Sequence, residues 1–484
     1  MSDHPFLGEV SPGRRRLLKS ATAWAAGTGA ALPLAISLQA FSKAAYAAED
    51  YKSLICFFLY GGNDHANTVV PYSQPDWDAY IRGRSGTNST NELAGGRARA
   101  DLLPISASSV TSQQLALPKE LGPYRDAAGV TRSGLHGLYG SGRVAIVANV
   151  GALVQPTTKI QFDNGTVALP PQLFSHNDNQ NYWQTSVAAS NIGTGWGGRM
   201  ADVLSSLNAA SPISMCMSLY GANLFETGSQ TSYFPLTDEG IQPIEAVAAR
   251  YRQEPRIIAL NRMLAATDRR HLFEQIFAQR MKRAVDAEAL AYSALSNVPS
   301  FSNEFRSSAP DGNFSMAALR TVARMIAARK QLGQRRQVFF VGLGGFDTHA
   351  NLDSTHPVLL TRVNEAFTAM HDVLVGLNMI DSVVMFSASD FGRCLTTNNR
   401  GSDHGWGGHH FVMGGPVRGG QVYGKMNQAG LGGPEDAGQG RLIPTTSVDE
   451  YAAGLARWFG VSQSDLPFVL PNLSRFSTTG LGFI

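Results

Sequence analysis

Five short apolar runs punctuate the chain: SLICFFLY at 53–60, VAIVANV at 144–150, ISMCMSL at 213–219, QVFFVGL at 337–343 and SVVMFSAS at 382–389. Each is nearly continuous in hydrophobicity rather than alternating, and is rich in β-branched or aromatic residues. That is the pattern of strands buried on both faces of a parallel sheet. Between the runs, apolar residues change to helical spacing. Leu260, Leu264, Leu272, Ile276, Met281 and Val285 mark one stripe between 256 and 295. Met316, Leu319, Val322 and Met325 mark a second, and Leu360, Val363, Phe367, Met370 and Leu374 a third that ends before Gly376. Such stripes predict helices whose apolar faces cover the sheet. The alternation predicts a layered α/β fold: a mostly parallel central sheet flanked by helices, with a largely helical insertion over about 230–335.

Sheets of this kind bind ligands outside the carboxyl ends of their strands, so the residues that follow each run carry the candidate chemistry. The first run opens onto GGNDHANT, with Asp64 and His65; the second is followed, after a loop, by SHNDNQNYW, with Ser175, His176 and Asp178. The fourth opens onto GGFDTHA, with Asp347 and His349, and the fifth onto Asp390, Phe391, Gly392 and Arg393, then SDHGWGGHH with Asp403, His404, His409 and His410. In extended backbone, residues i and i+2 share a face about 6.6 Å apart. Asp347 and His349 can therefore reach one ion, and both are ordinary ligands for zinc, manganese or iron. Six of the eleven histidines fall in these four segments, whereas 250–335 holds only His271. Carboxylates and imidazoles gathered at one sheet edge are costly unless paired, and a cation is the usual remedy. A site for one or two divalent ions is expected. The bland alternative is that GGND and SDHG are Asx-type turns.

Charge and termini narrow the setting. SPGRRRLLKS carries Arg14 and Arg15 before a mildly apolar, Ala-rich stretch that ends in AAYAAED. This reads as a twin-arginine signal peptide over 1–47, with cleavage after Ala47 and delivery to the periplasm through the twin-arginine translocation machinery. An uncleaved membrane anchor is the competing reading; processing would leave no stable membrane span. Without residues 1–47 the Lys+Arg count falls from 40 to 35 and the Asp+Glu count from 37 to 35, so the formal charge falls from +3 to zero. A nucleic-acid partner, which would demand a persistent basic bias, is not indicated. Cys56, Cys216 and Cys394 are odd in number and far apart, which argues against a disulfide framework; Cys56 and Cys216 sit in apolar runs as small core residues.

At these residues the sequence resembles an exported bacterial family catalogued as domain of unknown function 1501. Its segments stand here as Gly61 to Asp64, Ser175 to Asp178, Gly344 to His349, Ser389 to Arg393 and Asp403 to Gly405. The resemblance spans 48–484 as a single domain and implies an alkaline phosphatase/sulfatase-like fold. Members of that superfamily hold two divalent ions around a nucleophile. The resemblance assigns Asp64, Asp347, His349, Asp390, Asp403 and His404 to metal ligation, with His65, His176 and Asp178 as further candidates, and Ser175 to the nucleophile before a helix. Phe391 departs from the pattern, which has a ligand histidine there, so Asp403, His176 or His65 must compensate. A sulfatase-type Cys-x-Pro-Ser-Arg segment is missing, and formylglycine chemistry is not implied.

The expectation is an exported metal-dependent hydrolase or transferase acting on phosphate or sulfate esters. The ion, zinc, manganese, calcium or iron, would activate Ser175 or a water, and Arg393 would clamp an oxygen of the anionic ester. Trp196 and Trp406 lie in Gly-rich loops that either line a cleft for a polysaccharide or simply anchor the glycines. His409 and His410 read as polar residues opening the strand FVMGG. The rival is a noncatalytic periplasmic binding or assembly protein that keeps the fold and one structural ion; a single-metal isomerase or mutase is a third reading.

Overall fold

Along β1 (Lys52–Leu59), Ile55, Phe57 and Leu59 pack into one apolar cluster, while Leu54, Cys56 and Phe58 pack into another on the opposite face. A strand with no solvated face has no reason to alternate, which is why this run reads as continuous hydrophobicity. The computed structural model describes residues 50–85, 93, 95–110, 113–190, 192–241, 254–265, 271–309, 312–477 and 480–484. Residues 51–484 form one unit. The leader expected over 1–47 lies outside the described residues. Among the described residues, no helix is long and apolar enough to cross a membrane.

The remaining strands of the main sheet are β2 (Val144–Gly151), β3 (Cys216–Ser218), β4 (Phe234–Pro235), β5 (Arg336–Leu343), β6 (Val383–Ser389), β7 (Gly408–Gly414), β8 (Val422–Tyr423) and β9 (Thr446–Ser447). Their order is β8-β2-β7-β6-β1-β5-β3-β4, with β9 also on β2. β1 lies between β5 and β6, parallel to both, and β5 is parallel to β3. Only β7 runs against its neighbours β6 and β2. The fold is therefore α/β, with a mixed but mostly parallel central sheet flanked by helices. All five apolar runs form strands, although the third contributes only three residues.

Helices α1 (Phe314–Ala327) and α2 (Leu352–Gly376) cover one sheet face, and α3 (Val448–Phe459) covers the other. The stripes ending at Met325 and Leu374 are buried as expected: Leu319, Val322, Met325, Val363, Phe367, Met370 and Leu374 have no exposed surface. The first stripe behaves differently. Helices Pro255–Ala265 and Leu272–Ser296 bury Leu264 and a run of alanines, but Leu272 and Ile276 face solvent at 64% and 39% exposure. Helical spacing here does not mark the core face, and the buried face of Leu272–Ser296 is built mainly from Ala278, Ala287, Ala291, Ala294 and Leu295.

Candidate metal centre

The glycines that follow β1 are set by close approach. Gly61 has φ +113, and a Cβ there would stand 2.3 Å from the Asp347 backbone nitrogen; Gly62 has φ +85, and its Cβ would meet the Phe391 ring at 2.4 Å. Only glycine lets the ends of β1, β5 and β6 close on one another this tightly. Four side chains converge above that junction.

His349 Nε2 lies 3.1 Å from Asp347 Oδ1, His404 Nε2 3.4 Å and His176 Nε2 3.5 Å from the same oxygen; His349 Nε2 and His404 Nε2 are 2.8 Å apart. These donors come from separate elements. Asp347 and His349 follow β5, His404 ends the short strand Ser402–His404, and His176 opens the helix His176–Thr185. The outer nitrogens fix the tautomers. His404 Nδ1 is 2.7 Å from the Phe174 carbonyl oxygen, and His176 Nδ1 is 2.7 Å from Asp390 Oδ2. A carbonyl and a carboxylate only accept, so both Nδ1 atoms carry the proton, and in the neutral rings both Nε2 atoms turn bare lone pairs inward. Lone pairs converging on a carboxylate oxygen repel one another unless a cation lies between them. His176 Nε2 is in addition buried without a hydrogen-bond partner. For bonds of about 2.0–2.1 Å, tetrahedral ligands stand about 3.3 Å apart, close to the separations found here. The donor set fits a divalent ion.

The electrostatics agree with that geometry. Burial works against the charged form of Asp347, but the Arg393 guanidinium and the nearby imidazoles hold its pKa below the ordinary carboxylate value. The hydrogen bond to Asp390 raises the pKa of His176, while burial, the largest cause, lowers that of His404. Asp347 and His349 remain 47% and 46% exposed at the side chain. One side of the cluster is thus open to solvent, as in metal sites that keep a position for substrate.

Several expected ligands sit elsewhere. Asp64 is completely buried and pairs with Arg84, 2.7 Å away and equally buried. Burial opposes ionisation, but Arg84 and neighbouring charges bring the Asp64 pKa to about 2. This ion pair engages the carboxylate expected to ligate a metal, and its partner stands twenty residues on, in the helix Gln74–Ser85. Asp390 is also fully buried; it accepts from Gln180 Nε2 and the Gly61 amide besides facing His176, and so orients the His176 ring. Asp403 lies on the rim, held by Arg441 at 2.9 Å, with its Oδ1 3.9 Å from His349 Nδ1. His65 turns away to stack edge-on with His409. Among the described residues, the possible ligand groups are His176–Asp347–His404 and His349–Asp403–His404, which share His404 and include neither Asp64, His65 nor Asp178.

Arg393 is not a substrate clamp. It is fully buried, and donates to the Gly61 and Phe346 carbonyls, the Ser402 carbonyl and Asp347 Oδ1, so it positions Asp347. Phe391, the position noted above as departing from the resemblance, lies under His176 and His404 with ring centroids 4.9 and 4.6 Å away. Its ring floors the site, and His176, arriving from a different element, supplies the third imidazole. Ser175 caps that helix in extended backbone without a side-chain cap hydrogen bond. Its hydroxyl is therefore uncommitted, between Phe174 and His176, which both touch the centre. Trp196 and Trp406 do not line a cleft; both are buried and donate to the carbonyls of Trp183 and Ala152. His409 and His410 are buried within β7, and His409 Nδ1 accepts from the Asn149 amide.

A solved structure titled "Crystal structure of Ps i-CgsB in complex with k-i-k-neocarrahexaose" is similar over 87% of this chain and 77% of its own, at 7% identity and a TM-score of 0.28. Those values leave only a loose correspondence between the two chains. No curated protein matches the sequence. The family described as "Protein of unknown function (DUF1501)" matches residues 51–465. That span contains every residue of the centre, from the Gly61 turn to His404, and the chain belongs to this family.

Proposed function

We propose that the protein is an exported metal-dependent enzyme that hydrolyses or transfers phosphate or sulfate esters, using one divalent ion bound by His176, His349, His404 and Asp347. The observation that carries this reading is the fixed tautomers of His176 and His404, whose Nε2 lone pairs point at the Asp347 carboxylate. Three imidazoles and a carboxylate suit zinc, manganese or iron better than calcium, which takes oxygen ligands. A bound ion supplies Lewis acidity toward an ester oxygen. The chain supplies the rest. Asp390 and the Phe174 carbonyl hold two imidazoles in place, Arg393 holds Asp347, and Ser175 offers a hydroxyl at a helix N-terminus whose backbone N–H groups favour an anionic group.

Kinship with alkaline phosphatases and sulfatases rests on the order of the strand-end motifs and belongs to the same proposal. It differs from the two-ion pattern in one respect: Asp64 and Asp390, two ligands implied for it, are engaged by Arg84 and by His176. That engagement is also what favours the rival, a noncatalytic binding or assembly protein with a structural ion. The solvent exposure of Asp347 and His349 weighs against it, since structural sites are usually closed. The test is turnover of phosphate and sulfate monoesters by the metal-loaded mature protein beside Ser175→Ala. Hydrolysis abolished in the variant, with bound metal retained, supports the enzyme and its nucleophile. Unchanged turnover removes Ser175 from that role, and no turnover on any ester by the wild type favours the noncatalytic protein.

A further inference from the structure

We propose that Tyr220 is a specificity-determining residue of the metal centre, a platform on which a ring in the organic part of the ester stacks. The inference rests on the ester reading above and names the kind of group that the site takes. Tyr220 follows β3, and β3 runs parallel to β5, so Tyr220 emerges at the sheet edge that also carries Asp347. Its ring stacks on that of Tyr60, which follows β1, with centroids 4.9 Å apart and planes inclined by 19°. It also rests on Gly342, where a Cβ would stand 2.5 Å from the Tyr220 ring. Gly342 lacks a positive φ, so backbone conformation does not call for glycine there; close approach of the ring does. Tyr220 nevertheless remains 44% exposed.

Continuity with the centre selects the occupant. A Cβ on Gly344 would lie 3.6 Å from the Tyr220 hydroxyl, and Asp347 stands three residues further on, at most about 11 Å along an extended chain. Gly344 and Gly345, both exposed, place no side chain in between. The segment that carries Tyr220 is also fastened to the helix that His176 opens, because Gln184 Oε1 accepts from the Leu224 and Phe225 amides at 2.8 and 3.1 Å. An ester whose anionic group sits at the ion, and whose organic group leaves over the glycines, therefore meets an aromatic side chain held on a rigid base. Stacking rewards a ring with an apolar face over an open chain. A phenol or a saturated cyclic alcohol, such as a sugar, supplies that face.

The probes are phosphonates and sulfonates bearing benzyl, cyclohexylmethyl or n-pentyl groups, in which a methylene replaces the ester oxygen and prevents hydrolysis. Binding to the metal-loaded mature protein is read by titration calorimetry, beside inorganic phosphate and sulfate. In the series that the site accepts, a ring-bearing probe should bind about fivefold tighter than the pentyl probe, as expected for one stacked ring. Tyr220→Ala should abolish that preference without changing the pentyl affinity, and Tyr220→Phe, which keeps the ring, should retain it. A preference confined to the benzyl probe assigns an aryl ester; one shared by the cyclohexylmethyl probe assigns a saturated ring. Equal binding of all three by the wild type, a preference that survives in Tyr220→Ala, or an equal loss on the pentyl probe overturns the inference and leaves the ester reading standing. Binding of no probe, inorganic anions included, overturns both.

Discussion

The 2.7 Å contact between His176 Nδ1 and Asp390 Oδ2 decides which nitrogen of His176 faces Asp347. Asp390 is fully buried and the imidazole only partly so, and its Oδ2 is shared between His176 Nδ1 and Gln180 Nε2 behind the ring. Orientation of a ligand by a carboxylate behind it is a common feature of histidine metal sites.

Replacing Asp390 by Ala frees the His176 ring to rotate or change tautomer. Metal affinity should fall about 10- to 100-fold, measured by competition with a chelator of known affinity, while Asp347→Ala removes a ligand outright. An Asp390→Ala variant that binds as tightly as wild type would show that Asp390 does not orient the ring.

Asp64 and Arg84 make the opposite prediction. Removing one member of a buried ion pair leaves the other uncompensated and costs about 3–5 kcal/mol. Asp64→Ala should lower the stability to denaturant by that order and leave metal stoichiometry unchanged. Loss of the ion with stability intact would restore Asp64 to the ligand set that the superfamily resemblance implied.

Buried carboxyls set a pH dependence remote from the centre. Glu226 and Asp449 are both almost wholly buried, and burial pushes each pKa up to about 8. A carboxyl that holds its proton more tightly when folded stabilises the native state fully below its unfolded pKa, near 4. That stability is lost as pH rises toward 8. The unfolding free energy should therefore decline across that window, and Glu226→Gln, or more fully Glu226→Gln/Asp449→Asn, should flatten the decline. A wild-type profile that rises from pH 5 to 8 and is unaltered by these substitutions would contradict the assignment.

The strands were legible because burial on both faces writes itself as an unbroken apolar run, and the site's general place followed, since Asp347 comes directly after β5 and His404 lies in the segment that follows β6. The identity of the third imidazole was not. Nothing local in SHNDNQNYW says that its helix packs its first residue against Asp390, so the sequence alone favours Asp64 over His176. Asp64 itself misled because its partner, Arg84, lies on a helix that joins it only through tertiary packing. The stripe through Leu272 and Ile276 misled for a related reason. Spacing reports that a helix has an apolar face, and whether the protein or something else covers it is decided by packing.

Metal content of the mature protein, purified without chelator and measured by elemental mass spectrometry beside Asp347→Ala and His404→Ala, tests the central claim most directly. The account predicts about one zinc, manganese or iron ion per chain, in keeping with a single four-ligand site, lost in both variants. A folded wild type without metal, or an ion retained in both variants, would contradict it.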